Sequence, residues 1–188
     1  MGYTTWFNGT LQFNKEVTDE LKNFINGFAN VRHMKRDVNK IKEINPNWDS
    51  YGFYGDLGTE GEYYIGGSGF MGQDKDESVI DCNNPPIFVP GLWCQWVIND
   101  DNELEWDGGE KFYYYEEWLN YLIDNFFEPE GYVLNGDIHF NGEDDEDLGI
   151  IHVVDNKVRL EYGICTYSMS DISDEDLLEE CRRRNLIA

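Results

Sequence analysis

Over the first residues of the chain, Tyr3, Thr5, Phe7, Leu11 and Phe13 alternate with polar or small residues, which predicts a half-buried strand with a bulge or turn at Gly9. The period then changes. Thr18 is placed to cap a helix with Asp19 and Glu20 in its first turn, where negative charge suits the dipole, and Leu21, Phe24, Ile25 and Phe28 recur at helical spacing. Residues 44–72 are rich in Gly, Asn, Asp and Tyr and read as an extended loop holding one short strand over 62–65. Pro85, Pro86 and Pro90 force an extended approach to a buried strand over 92–98, which Asp100-Asp101-Asn102 turns back into a strand over 103–106. After Asp107-Gly108-Gly109, the stripe Phe112, Tyr115, Leu119, Leu122, Ile123 and Phe126 predicts a second amphipathic helix, stopped by Pro129 and Gly131. Strands over 132–140, 149–154 and 158–162 follow as a meander, joined by the acidic turn 141–147 and the tight turn Asp155-Asn156. Ser173 caps a short last helix that closes on Arg182, Arg183 and Arg184. The expected fold is α+β, a mostly antiparallel sheet with two main amphipathic helices packed on it and a short C-terminal helix. Residues 1–162 form a single domain in this reading, and 163–188 an extension.

Composition narrows the function classes. At 188 residues the chain suits one domain, and 40% hydrophobic with 15% aromatic residues is too much apolar surface for disorder. The 38 acidic against 14 basic side chains give a net charge of −24, which excludes a broad basic face gripping nucleic-acid phosphates. No apolar run reaches the roughly 18 residues of a membrane span and no leader opens the chain, so a cytoplasmic protein is expected. Cys82, Cys94, Cys165 and Cys181 lie far apart and read as free thiols. The charge is also uneven: residues 1–42 carry net +3, residues 43–161 net −24 and residues 162–188 net −3.

That early basic block holds the first candidate site. If the first helix continues past Asn30, Arg32, Lys35 and Arg36 fall on the same stripe as Leu21 and Phe28, so that an apolar face becomes a cationic one. Unpaired cations cannot be buried, so these either pair with acids of the middle segment, line a cleft, or meet an anion such as phosphate. Trp93, Gln95 and Trp96 on the central hairpin, with Cys94 between them, offer an aromatic platform or an aromatic core. Asp107, Glu110 and Lys111 at a strand-to-helix turn form the best local set for acid–base work, against the plainer reading of a cap and a salt bridge. Gly67-Ser68-Gly69-Phe70-Met71-Gly72 matches G-x-G-x-x-G without the helix that a dinucleotide site needs. His33, His139 and His152 are isolated and speak against zinc, although His139 and His152 could face each other across the meander. The run Glu143–Asp147 lacks the register of a calcium loop, so no metal and no cofactor is expected.

Several runs together carry a resemblance. Gly2-Tyr3-Thr4-Thr5, Arg32-His33-Met34-Lys35-Arg36, Gly72-Gln73-Asp74, Pro90-Gly91-Leu92-Trp93-Cys94-Gln95-Trp96, Trp106-Asp107-Gly108-Gly109-Glu110-Lys111-Phe112-Tyr113 and Leu134-Asn135-Gly136-Asp137 resemble a family of small proteins of bacteria and their phages, over residues 3–158. The chain departs from that pattern at His33 and Asn84, where arginine is usual, and at Phe140, where tryptophan is usual. The resemblance implies an accessory protein that sequesters or blocks something of the host, in the host cytoplasm if phage-borne. The leading expectation is a non-enzymatic protein that captures a nucleotide-like anion, such as a host immune signal, through Arg32, Lys35, Arg36, Trp93, Gln95, Trp96, Asp107 and Lys111. The alternatives are an acidic inhibitor or nucleic-acid mimic that fills a basic groove on a host protein, and a nucleotide hydrolase or transferase using Asp107 or Glu110. Neither nucleic acid nor membrane is an expected partner, and self-association through the C-terminal helix is a further expectation.

Overall fold

The computed structural model describes residues 2–67 and 76–164, together with Ser173, Glu175, Leu178, Cys181 and Arg182. The strands β1 (Thr5–Asn8) and β2 (Leu11–Phe13) both pair antiparallel with β7 (Leu134–Gly142), and the register is the same on either side of Gly9. No residue is inserted at Gly9, so the predicted bulge is absent. The chain kinks there instead, with φ +121° and so little room that a Cβ would stand 2.5 Å from the Asp137 carbonyl oxygen. The helix α1 (Asp19–Ala29) begins as expected, with the Thr18 hydroxyl accepting the Leu21 N–H at 3.3 Å, and buries Leu21, Phe24, Ile25 and Phe28.

The next segment was not visible as structure in the sequence. β3 (Lys35–Arg36) pairs with β4 (Val79–Asp81) as a separate two-stranded ribbon, and between them lies the short helix α2 (Val38–Ile44). Asp37 caps α2 by accepting the Asn39 and Lys40 N–H groups. The strand predicted over 62–65 is a turn followed by irregular chain. β5 (Trp96–Ile98) and β6 (Glu103–Trp106) form the expected hairpin, but the first strand starts at Trp96 rather than at Leu92. α3 (Tyr115–Leu122) continues through a wider π-helical turn, Ile123–Phe127, which places both Phe126 and Phe127 in the interior.

β7, β8 (Leu148–Val154) and β9 (Lys157–Tyr162) are the meander. The seven-stranded antiparallel sheet runs β5-β6-β2-β7-β8-β9, with β1 extending the β2 position along β7. One face carries Phe7, Leu11, Trp96, Ile98, Leu104, Leu134, Ile138, Ile151 and Val153 against α1 and α3; the other presents Trp6, Asn8, Asn135, Asp137, His139 and His152. The class is α+β, mostly antiparallel, as expected. Toward the C-terminus, Glu175, Leu178, Cys181 and Arg182 are helical. Among the described residues no helix is long and apolar enough to cross a membrane. Cys82, Cys94 and Cys181 are free; Cys165 lies outside the described residues, as do Ser68–Gly72 of the glycine motif.

Candidate functional site

The cationic stripe does not exist. α1 stops at Ala29, where the Asn30 N–H turns back onto the Gly27 and Phe28 carbonyls, so Arg32, Lys35 and Arg36 follow the helix instead of extending its face. Each then goes its own way. The Lys35 ammonium lies 3.4 Å from the Glu60 carboxylate. Arg36 is 3% exposed, and its Nη1 donates at 2.7 Å to both Asp76 Oδ2 and Ser78 Oγ while the guanidinium lies 5.2 Å from the centre of the Tyr64 ring. These two cations clasp the β3–β4 ribbon to the following loop, the pairing with middle-segment acids that a buried charge demands.

Arg32 differs. Its Nε donates to the Cys82 carbonyl at 3.0 Å, its guanidinium stands 5.9 Å from the centre of the Trp93 ring, and no carboxylate among the described residues pairs with it. Trp93 in turn lines a cleft of about 510 Å³ with Pro90, Lys111, Tyr113 and Tyr114. The segments that build the cleft are locked from behind. The His33 N–H donates to the Leu92 carbonyl at 2.9 Å, and the Tyr3 N–H donates to the Tyr113 hydroxyl at 3.2 Å. Gln95, only 9% exposed, takes the Trp106 indole N–H at 3.0 Å and donates to the Glu110 carbonyl at 2.9 Å, so it braces the hairpin to the Lys111 turn.

Of the expected site residues, the structure therefore brings together Arg32, Trp93 and Lys111. Lys35 and Arg36 are committed elsewhere. Gln95 is a brace, and Trp96 is fully buried with its indole N–H on the Tyr115 carbonyl at 2.9 Å, so both are removed from the binding set by burial. Asp107 accepts the Gly109 N–H at 2.7 Å in the turn where Gly108 has φ +83°; partial desolvation raises its carboxyl against the pull of that N–H. Glu110 lies 3.9 Å from Lys111. His139 pairs with Ile150 in the meander, while His152 Nδ1 is 2.6 Å from Asp137, so the two histidines do not face each other and His152 makes a cross-strand polar pair with Asp137. The acidic turn is tethered at both ends, since the Tyr3 hydroxyl donates to Asp147 at 2.6 Å and the Thr4 N–H to Glu143 at 2.9 Å. Among the described residues no three side chains are grouped to hold a metal ion.

Backbone conformation singles out the cleft independently. Six described non-glycine residues have positive φ; Asn102, Asp155 and Asn156 are residue types that tolerate it in turns, whereas Tyr54, Lys111 and Tyr114 are not. Lys111 (φ +61°) and Tyr114 (φ +58°) both line this cleft, and Tyr114 is 58% exposed, so its cost is not offset by burial. Sequence reasoning missed Tyr113 and Tyr114. The signal was present, because the buried stripe through Phe112, Tyr115 and Leu119 leaves both tyrosines off its face. No protein-family model matches the chain, and neither a curated protein nor a solved structure is detectably similar to it.

Proposed function

We propose that the chain is a non-enzymatic binding protein that holds a flat, anionic, nucleotide-like ligand in the cleft between Trp93 and the Lys111–Tyr114 turn. One observation carries this reading: three accessible aromatic side chains, Trp93, Tyr113 and Tyr114, share the cleft with Lys111, and Arg32 stands over the Trp93 ring. A base stacked on such rings gains about 1–3 kcal/mol. Arg32 has terminal guanidinium nitrogens to offer a phosphate, and Lys111 supplies a point charge. Glu110 opposes the anion from the rim, and the net charge of −24 slows its approach; within a Debye length of about 8 Å the local cations dominate. Asp107 is engaged by its own turn, so capture rather than turnover fits the site, and a phage-borne accessory protein of this kind would hold a host signalling nucleotide out of circulation.

The test is native mass spectrometry of the purified full chain followed by fluorescence titration with AMP, ADP and cyclic di-AMP. At least one should bind, and Trp93→Ala and Lys111→Ala should each weaken it, by about tenfold for the stacking residue. Arg36→Met should leave affinity unchanged. Absence of binding at millimolar nucleotide, or equal binding by Trp93→Ala, would overturn the proposal.

A further inference from the structure

A second cleft, of about 560 Å³, lies between α1 and the 49–55 segment, and its walls include Glu20, Phe24, Asp49, Phe53 and Tyr54. Phe53 joins the other two rings, with centroids 5.0 Å from Phe24 and 4.6 Å from Tyr54. Among the described residues no lysine or arginine lines this cleft, and neither Glu20 nor Asp49 takes part in an ion pair. We propose that this cleft binds a small organic cation of the quaternary-ammonium class, at a site separate from the Trp93 cleft.

The walls decide the chemistry. Aromatic faces attract a cation through their quadrupoles, and most strongly one that sheds water readily, which an alkylated ammonium does and a divalent metal does not. Two carboxylates are too few for calcium or magnesium, which want about six oxygens or more, and no described trio of metal-ligating side chains exists. An uncharged ligand filling the same space would desolvate Glu20 and Asp49 without pairing either. An anion would meet two negative charges and, among the described residues, no positive one.

Tyr54 is the residue most specifically placed for this role. It occupies the first central position of a two-residue turn closed by reciprocal Phe53 and Asp56 N–H···O=C bonds of 2.9 Å, with φ +48° at Tyr54 and +80° at Gly55. Such turns favour Asn, Asp or Gly. Tyrosine there is strained and also 51% exposed, so its ring is held at the rim of the cleft without the return of burial. Partial desolvation, and after it the nearby Glu130 and Glu20 carboxylates, raises the phenol.

The test is an amide-resolved NMR titration of the full chain at low salt with choline, with its uncharged isostere 3,3-dimethyl-1-butanol, and with magnesium chloride. Choline should shift the Ser50, Gly52, Tyr54 and Gly55 amides while the isostere and magnesium leave them in place. Equal shifts from the isostere would make the cleft merely apolar, equal shifts from magnesium would make it merely acidic, and no shift from choline would leave it without a ligand of this class; each result overturns the proposal. Tyr54→Asn suits the turn better, so it should preserve or raise the melting temperature while weakening choline by about tenfold. Unchanged choline affinity in that variant, or a lowered melting temperature, would show that the ring serves packing and would overturn the proposal too. Trp93→Ala should not alter choline binding, which keeps this outcome separable from failure of the nucleotide site.

Discussion

Phe28, Trp118 and Phe126 are wholly buried between α1, α3 and the sheet, ring against ring, with Phe28 5.9 Å from Trp118 and 5.3 Å from Phe126. Eight residues beyond Phe28, Arg36 is almost as deeply buried, yet its neighbours are a carboxylate, a hydroxyl and the face of Tyr64. The first region excludes charge: His33, packed on both Phe28 and Trp118, has its imidazole pushed down to about 3 by burial, so it is neutral there near pH 7. The second is organised by charge. Its apolar content is small, with Ile41, Leu57 and Tyr64 buried and Val38 and Trp48 packed beside them, and it rests on the large core through Phe53, Tyr63 and Ile65. A small cluster that cannot bury enough surface to define itself gains its geometry from directional bonds, whereas the large one needs only shape.

Breaking the large core should therefore cost most and act everywhere. Trp118→Ala removes a fully buried ring that touches Phe28, His33 and Tyr121, and should lower the free energy of unfolding by about 3–5 kcal/mol in denaturant melts, with all regions unfolding together. Its indole N–H has no hydrogen-bond partner among the described residues, so the loss is one of packing. Arg36→Met should act locally. It leaves Asp76, which is 37% exposed at its side chain, free to rehydrate, so the cost should be about 1–3 kcal/mol rather than that of a stranded buried charge. Hydrogen exchange should quicken in α2 and around Tyr64 while α1 and α3 stay protected. Equal loss of protection in α1 would mean that the two regions are one cooperative unit and that the contrast between them is false.

The same contrast explains what could be read from the residues. Leu21, Phe24, Ile25 and Phe28, the hairpin at Asn102 and the meander after Tyr132 announce themselves through period and turn chemistry, because burial against a single face imposes one repeat along each element. Arg36 announces nothing: its partners are 40 and 42 residues away, and a two-residue strand has no period. Residue spacing therefore leaves open whether the basic run continues the helix before it or pairs with later acids, and the structure places Lys35 and Arg36 in a ribbon closed by Val79–Asp81. At the Trp93 cleft, Lys111 and Trp93 were legible by type, but the turn that exposes Tyr113 and Tyr114 depends on φ values that residue identity argues against.

The finest test of the contrast separates charge from shape within the small cluster. Burial raises the Asp76 carboxyl, but hydrogen bonds from Ser78 and Arg36 lower it further, and the net position is below the usual aspartate value. A carboxyl depressed by folding stabilises the folded state fully above its unfolded pKa, about 3.9, and loses that contribution as pH falls through the lower folded value. Protection around α2 and Tyr64 should thus decline below about pH 4. Asp76→Asn keeps one acceptor oxygen, which can serve Ser78, but turns an amide NH2 toward the buried Arg36 guanidinium and removes the charge; at neutral pH it should cost about 1–3 kcal/mol, and it should abolish this acid dependence. If Asp76→Asn retained the decline, the proton responsible would lie elsewhere and the Arg36 clasp would be holding the ribbon by shape alone, as the large core does.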